Sequence, residues 1–129
     1  MGSLINIGII LLGLKIYPLP VGIDVMDIEN YNSNVHLLTK AHYVTPFLAH
    51  ALGTLVGAFF ASRIAKNYKL LLALLIGVLF LAGGIMEIIQ RISPSWFTAL
   101  DLVVAYIPMS FLGYLIGKKL SIFQRSSMQ

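Results

Sequence analysis

The apolar stretch at residues 41–65 constrains this chain most, because it is long enough to cross a bilayer and yet carries two histidines. A helix needs roughly 20 apolar residues to cross a hydrocarbon core of about 30 Å. Small residues recur along the stretch at every fourth position and form a face against which another helix packs closely in lipid. His50 lies near this face around the helix, so we predict that it points toward neighbouring protein. The small residues are Ala49, Gly53, Gly57, Ala61 and Ala65.

Hydrophobic residues make up 58% of the 129-residue chain and charged residues only 11%, and the mean hydropathy of +0.88 is far above that of soluble domains. We therefore predict one all-α membrane domain over residues 1–129. The domain is an antiparallel bundle of four transmembrane helices with an external loop at residues 21–40, after Pro18 and Pro20 end the first helix. The predicted helices span about 3–19, 42–65, 70–90 and 96–117.

Basic residues flank the apolar segments, which indicates membrane orientation and argues against nucleic acid as a partner despite the net charge of +4. Six bases fall on one side of the bundle, and only Lys40 and Arg91 fall on the other. We predict a multi-pass protein of the bacterial cytoplasmic membrane with both termini in the cytoplasm, in contact with lipid and with a membrane-protein partner or further copies of itself. The six are Arg63, Lys66, Lys69, Lys118, Lys119 and Arg125.

Three sequence segments are similar to those of a known family: PLPVGIDVMD at 18–27, PFLAHALGTLVGAF at 46–59 and DLVVAYIPM at 101–109. With them the chain resembles a family of small, uncharacterised bacterial integral membrane proteins. The resemblance covers most of the chain and implies no assigned activity. Members of that family carry a longer first helix, which implies that the first helix here is incomplete.

Four ionisable residues lie inside the apolar segments. Inserting each into the membrane costs about 2.5–3.5 kcal/mol on insertion scales, so we expect each to have a structural or functional role. Antiparallel neighbours place residues at equal depth when their numbers are symmetric about the connecting turn. By this reflection His50 lies opposite residue 85, two positions from Glu87, and Asp101 lies opposite residue 86. Lys15 is three residues before the proline stop. We therefore predict one polar layer near the outer leaflet.

Three interpretations of this layer remain open. It is a structural clamp of ion pairs that fixes helix register, a proton- or ion-handling site, or a metal site. For a metal, His42, His50, Glu87 and Asp101 are weak candidates, since two histidines eight residues apart on a straight helix are too far apart to share one ion and no HExxH motif occurs.

The function that these patterns favour is a non-enzymatic accessory or structural subunit of a membrane assembly, with no cofactor. The alternatives are a proton- or ion-coupled transporter acting as an oligomer and a metal-binding membrane enzyme that uses His50, Glu87 and Asp101. The absence of Cys excludes thiolate chemistry. Gly113 and Gly117 form a GxxxG pair that predicts ordinary helix packing.

Overall fold

The computed structural model describes the backbone of residues 1–126 and the side chains of residues 1–120, so the side chain of Arg125 in the predicted charge bias lies outside the described part, as does Gln129. Within residues 1–126 the chain forms helices and short connections without strands, which confirms the all-α class. The helices are α1 (Gly2–Ile16), α2 (Ile28–Asn34), α3 (Lys40–Ile64), α4 (Lys69–Gln90), α5 (Ser95–Val104) and α6 (Ile107–Ser126), with a 3₁₀ turn at Val35–Leu37.

Among the described residues, three segments are long and apolar enough to cross a membrane: α3, α4, and α5 with α6 up to Leu120. The prediction of four spanning helices is therefore wrong for the first segment. Helix α1 has 15 residues, about 22 Å at 1.5 Å per residue, and ends at Ile16 instead of 19. It ends early because Pro18 disfavours helical backbone at the residue before it, and Tyr17 accordingly has φ −122° and ψ 80°.

Helix α3 lies at the centre, and its two small-residue faces each receive a neighbour. On the predicted face, Gly53 and Gly57 lie against Gly2, and Gly13 lies against Thr45, so α1 runs antiparallel to α3. Helix α4 also packs on α3 beside α1, and Gly57 contacts Ile76 of α4.

The second face of α3 packs on α6 and consists of Ala58 and Ser62, both buried. A Cβ at Gly113 would overlap the carbonyl oxygen of Leu55, and one at Gly117 would overlap the Ser62 hydroxyl. The GxxxG pair of α6 therefore packs inside the chain, and α6 runs parallel to α3.

The last spanning segment is broken at Ala105 and Tyr106, where α5 ends and α6 begins. Pro108 explains the break, because it has no N–H to donate to Val104 and its ring clashes with that carbonyl. The predicted helix at 96–117 is thus two helices. The break turns the Tyr106 side chain into the bundle, where it is 1% exposed.

The predicted external loop at 21–40 contains α2 and a tight turn. The Asp27 carboxylate accepts the Asn30 backbone N–H at 3.0 Å and so caps α2. The Asn32 side chain donates to the Gln90 carbonyl at 3.0 Å and accepts from the Ile92 N–H at 2.8 Å, which fastens α2 to the connection between α4 and α5. This outer segment covers one end of the bundle, which we call the outer end after its predicted side of the membrane.

Candidate functional site

The centre of the polar layer is the His50 imidazole, which α3 directs at the carboxylate of Asp101 on α5. His50 Nδ1 lies 3.0 Å from Oδ1 and 2.9 Å from Oδ2 of Asp101. Tyr106 donates its hydroxyl to Asp101 Oδ2 at 2.8 Å and lies 3.0 Å from His50 Nδ1, with its ring stacked on the imidazole. The Asp101 side chain is only 3% exposed, so its charge is held by these two donors.

A second carboxylate, that of Glu87 on α4, faces the other imidazole nitrogen. Glu87 Oε2 lies 3.4 Å from His50 Nε2, and Oε1 lies 4.0 Å from Arg91 Nε. The Glu87 side chain is 48% exposed, in contrast to Asp101. His50 therefore bridges a buried and an accessible carboxylate.

Arg91 connects the site to the outer segment. Its guanidinium donates to the Val25 carbonyl at 2.7 Å and lies over the Tyr31 ring, 5.2 Å from the centroid. Burial raises the pKa of the Tyr31 phenol above its ordinary value, so this ring stays neutral under the cation.

The hydrogen-bond geometry limits where protons lie. His50 Nδ1 and the Asp101 carboxylate share one hydrogen, and the Tyr106 hydroxyl donates to the same carboxylate. With this hydrogen on Nδ1, Asp101 is an anion. A second proton between these groups would lie either on Nε2 or on Glu87, and the total charge of the three groups would be −1 in both cases. The nearby Arg91 cation brings the sum to zero. The proton between His50 and Glu87 therefore moves without a change in net charge.

The structure brings together His50, Glu87 and Asp101 of the predicted layer but not Lys15. Lys15 is exposed, and none of the ion pairs found among residues 1–120 includes it. Lys15 was placed in the layer by its distance from the proline stop, but Gly13 lies against Thr45, so Lys15 lies about 10 Å from the level of His50 at 1.5 Å per residue, on an exposed face of α1.

His42, a weak metal candidate, instead caps α3. The Thr39 N–H donates to His42 Nδ1 at 3.0 Å, so Nδ1 is an acceptor and Nε2 faces the Pro18 carbonyl at 3.3 Å. The metal interpretation gains no support, since the described residues hold no group of three His, Asp or Glu side chains fit for an ion.

Tyr106 is the site residue that the sequence analysis did not select. The sequence feature that could have indicated it is Gly84 on the facing helix, because a Cβ at Gly84 would overlap the Tyr106 hydroxyl. Gly84 on α4 therefore makes room for the hydroxyl beside His50.

Cavities meet at the His50–Glu87 pair from two directions. One of about 280 Å³ lies under the outer segment, lined by Met26, Tyr31, Leu38 and His42 among others. Another of about 560 Å³ lies between α1 and α4, deeper along the bundle. His50 and Glu87 line both cavities. The pair is therefore reachable both from the outer end and from the side of the bundle.

Over residues 1–126 the fold is all-helical, with three segments long and apolar enough to cross a membrane and a His–carboxylate site between them. Comparisons with protein families, curated proteins and solved structures find no match to this chain.

Proposed function

We propose that this chain is a non-enzymatic integral membrane subunit of the bacterial cytoplasmic membrane whose His50–Glu87–Asp101 site takes up and releases a proton at the outer side. We assign it to the family of small bacterial integral membrane proteins that its segments at 18–27, 46–59 and 101–109 resemble. One observation carries the proposal: His50 has a buried carboxylate on one ring nitrogen and an accessible carboxylate on the other.

The two carboxylates support different roles. Asp101 is fixed by two donors at 3.0 Å or less, which suits a permanent charge that holds the His50 ring in one orientation. Glu87 makes a longer contact of 3.4 Å and borders the cavity under the outer segment. Glu87 is therefore the group through which a proton exchanges with the outer solution.

The exposure of Lys15 favours proton exchange over a static clamp. A lysine between the carboxylates would keep both ionised, as ion pairs in a low-dielectric interior do. Lys15 lies on the outer face of α1, and the sites around His50 keep a movable proton.

A structural clamp is the second candidate, and the bonding of Asp101 favours it. With His50 and Tyr106 both donating to one carboxylate, the link between α3 and the α5–α6 break is saturated. Such a link fixes helix register without any exchange of protons.

Infrared spectroscopy of the carboxyl stretch separates these two candidates. On acidification we expect one protonated carboxyl band, absent in Glu87→Gln and retained in Asp101→Asn, because the movable proton lies between His50 and Glu87. The measurement is a pH titration of the reconstituted protein over the range in which it stays folded.

Glu29 is the matched control, since it is an acid on the exposed outer segment and Glu29→Gln leaves the site intact. If the band that titrates belongs to Asp101, or if neither site carboxyl titrates, proton exchange through Glu87 is wrong and the clamp is favoured.

The orientation is tested with single cysteines, because the native chain contains none. Asn67 lies in the exposed turn between α3 and α4, beside Lys66 and Lys69, and Val21 is fully exposed in the outer segment. We expect a membrane-impermeant maleimide to label Val21→Cys in intact cells and Asn67→Cys only after lysis, because the basic end lies in the cytoplasm. Labelling of Asn67→Cys in intact cells would reverse the orientation.

A further inference from the structure

A groove opens on the side of the bundle. Helices α1 and α4 both pack against α3, and the cavity of about 560 Å³ lies between them. Most of its wall is apolar and includes Ile7 of α1 and Leu79 and Phe80 of α4. Ile7 is 54% exposed and Leu79 67%, so the groove is open toward the surface that faces lipid. A ligand can therefore enter it directly from the bilayer.

One part of the groove wall is polar. The wall includes Asn6 of α1, His50, Glu87 and Tyr106. Asn6 lies against Gly53, one turn of α3 from His50. None of the side-chain hydrogen bonds found among residues 1–120 involves the Asn6 amide, which is partly buried and borders the groove. An amide without a partner in hydrocarbon costs several kcal/mol, so a ligand with hydroxyl or carbonyl oxygen would be stabilised here.

The charges select against an ionic ligand. His50 already faces two carboxylates, and Arg91 is engaged by the Val25 carbonyl and the Tyr31 ring. An anionic headgroup would meet the accessible carboxylate of Glu87 without a free cation. A neutral head accepts from the Asn6 amide and shares the loosely held hydrogen between His50 Nε2 and Glu87, which are 3.4 Å apart.

We propose that the groove binds a neutral lipid, with a hydroxyl- or carbonyl-bearing head at Asn6, His50 and Glu87 and a hydrocarbon chain between Ile7, Leu79 and Phe80. Its volume lies within the range of about 300–1,000 Å³ for small-molecule sites. A quinone and a diacylglycerol both have this chemistry. The inference rests on the proposed function because the head contacts the same pair, but it concerns binding and not protonation.

Native mass spectrometry of the detergent-solubilised protein tests binding with three probes: decylubiquinone, dioctanoylglycerol and phosphatidylglycerol. We expect at least one neutral probe to bind with one molecule per chain and phosphatidylglycerol to bind more weakly. Preference for decylubiquinone assigns a quinone, and preference for dioctanoylglycerol assigns an acylglycerol. A preference for phosphatidylglycerol, or no binding by either neutral probe, would overturn the proposal.

Two variants locate the ligand. Leu79→Trp fills the groove, and Asn6→Leu removes the amide at nearly constant size; each should weaken binding tenfold or more. Val78→Trp is the control, because Val78 is 50% exposed on the same helix and does not line the groove. Circular dichroism and gel filtration verify that each variant is folded. Equal loss in Leu79→Trp and Val78→Trp would show nonspecific binding and overturn the site.

A second copy of the chain is the competing occupant. If the purified protein is a dimer that Leu79→Trp dissociates and Val78→Trp does not, the groove binds protein, and the lipid proposal is wrong. The infrared titration of Glu87 is independent of these results, so the binding proposal and the proposed function can fail separately.

Discussion

Replacing Gly113 by Ala is expected to destabilise the bundle by about 1–3 kcal/mol, because the added Cβ would overlap the backbone of α3. The nearest atom is the carbonyl oxygen of Leu55, and the Phe59 backbone nitrogen is also close. A backbone atom within a helix cannot rotate away as a side chain does. The two helices must therefore separate and lose their packing contacts along the whole interface.

Gly83→Ala is the matched control for this experiment. Gly83 is also in the interior of a helix, but a Cβ there meets nothing within 4 Å. We expect its stability to be unchanged or to rise by up to about 1 kcal/mol, since Ala is the better helix former. Reversible unfolding in mixed micelles measures both variants. Equal losses would mean that the glycines serve helix flexibility and not close approach, and an unaffected Gly113→Ala would place α6 away from α3.

The sequence predicted the helix positions well where charges bound an apolar run. Helix α4 begins within one residue of its predicted start and ends at the predicted Gln90, and α3 lies within two residues of its predicted bounds. Short connections explain why the reflection argument also placed Glu87 and Asp101 at the depth of His50. Because the connections between α3 and α4 and between α4 and α5 are only a few residues long, neighbouring helices can hardly shift along one another, and the depth of each residue follows from its distance to the turn.

Direction around a helix was predicted only in part. In lipid, hydrophobic periodicity does not mark the buried side, so small residues alone indicate packing. Helix α3 has two such faces, and only the one with Gly53 and Gly57 was recognised; Ala58 and Ser62 form the other. Lys15 was placed wrongly in depth as well as direction: Gly13 lies against Thr45, so Lys15 is about 10 Å along α3 from the level of His50 at 1.5 Å per residue, and its side chain is exposed.

Backbone breaks and unusual caps account for the remaining differences. Pro108 permits a break without fixing which residue it turns inward, so the role of Tyr106 did not follow from the sequence. Thr39 and His42 resemble a capping box, but His replaces the usual Glu or Gln, and the residue was instead considered as a metal candidate.

The second substitution with a large expected effect is Asp101→Ala, which should lower the free energy of unfolding by about 3 kcal/mol. The substitution removes a carboxylate that is 3% exposed and that accepts hydrogen bonds from both His50 and Tyr106. Breaking a buried ion pair typically costs about 3–5 kcal/mol because a partner is left unsatisfied. The expected loss is at the lower end, since the Tyr106 hydroxyl lies 3.0 Å from His50 Nδ1 and partly replaces the lost contact.

Glu87→Ala provides the comparison, with an expected loss below about 1 kcal/mol because Glu87 is half exposed and makes a longer contact of 3.4 Å with His50. Asp101→Asn should fall between the two, since it keeps one oxygen acceptor. The unfolding assay used for Gly113→Ala measures all three. Equal losses at Asp101 and Glu87 would mean that both carboxylates hold the fold equally. The movable proton would then lie on a structural element, and Glu87 would no longer be the exchanging group.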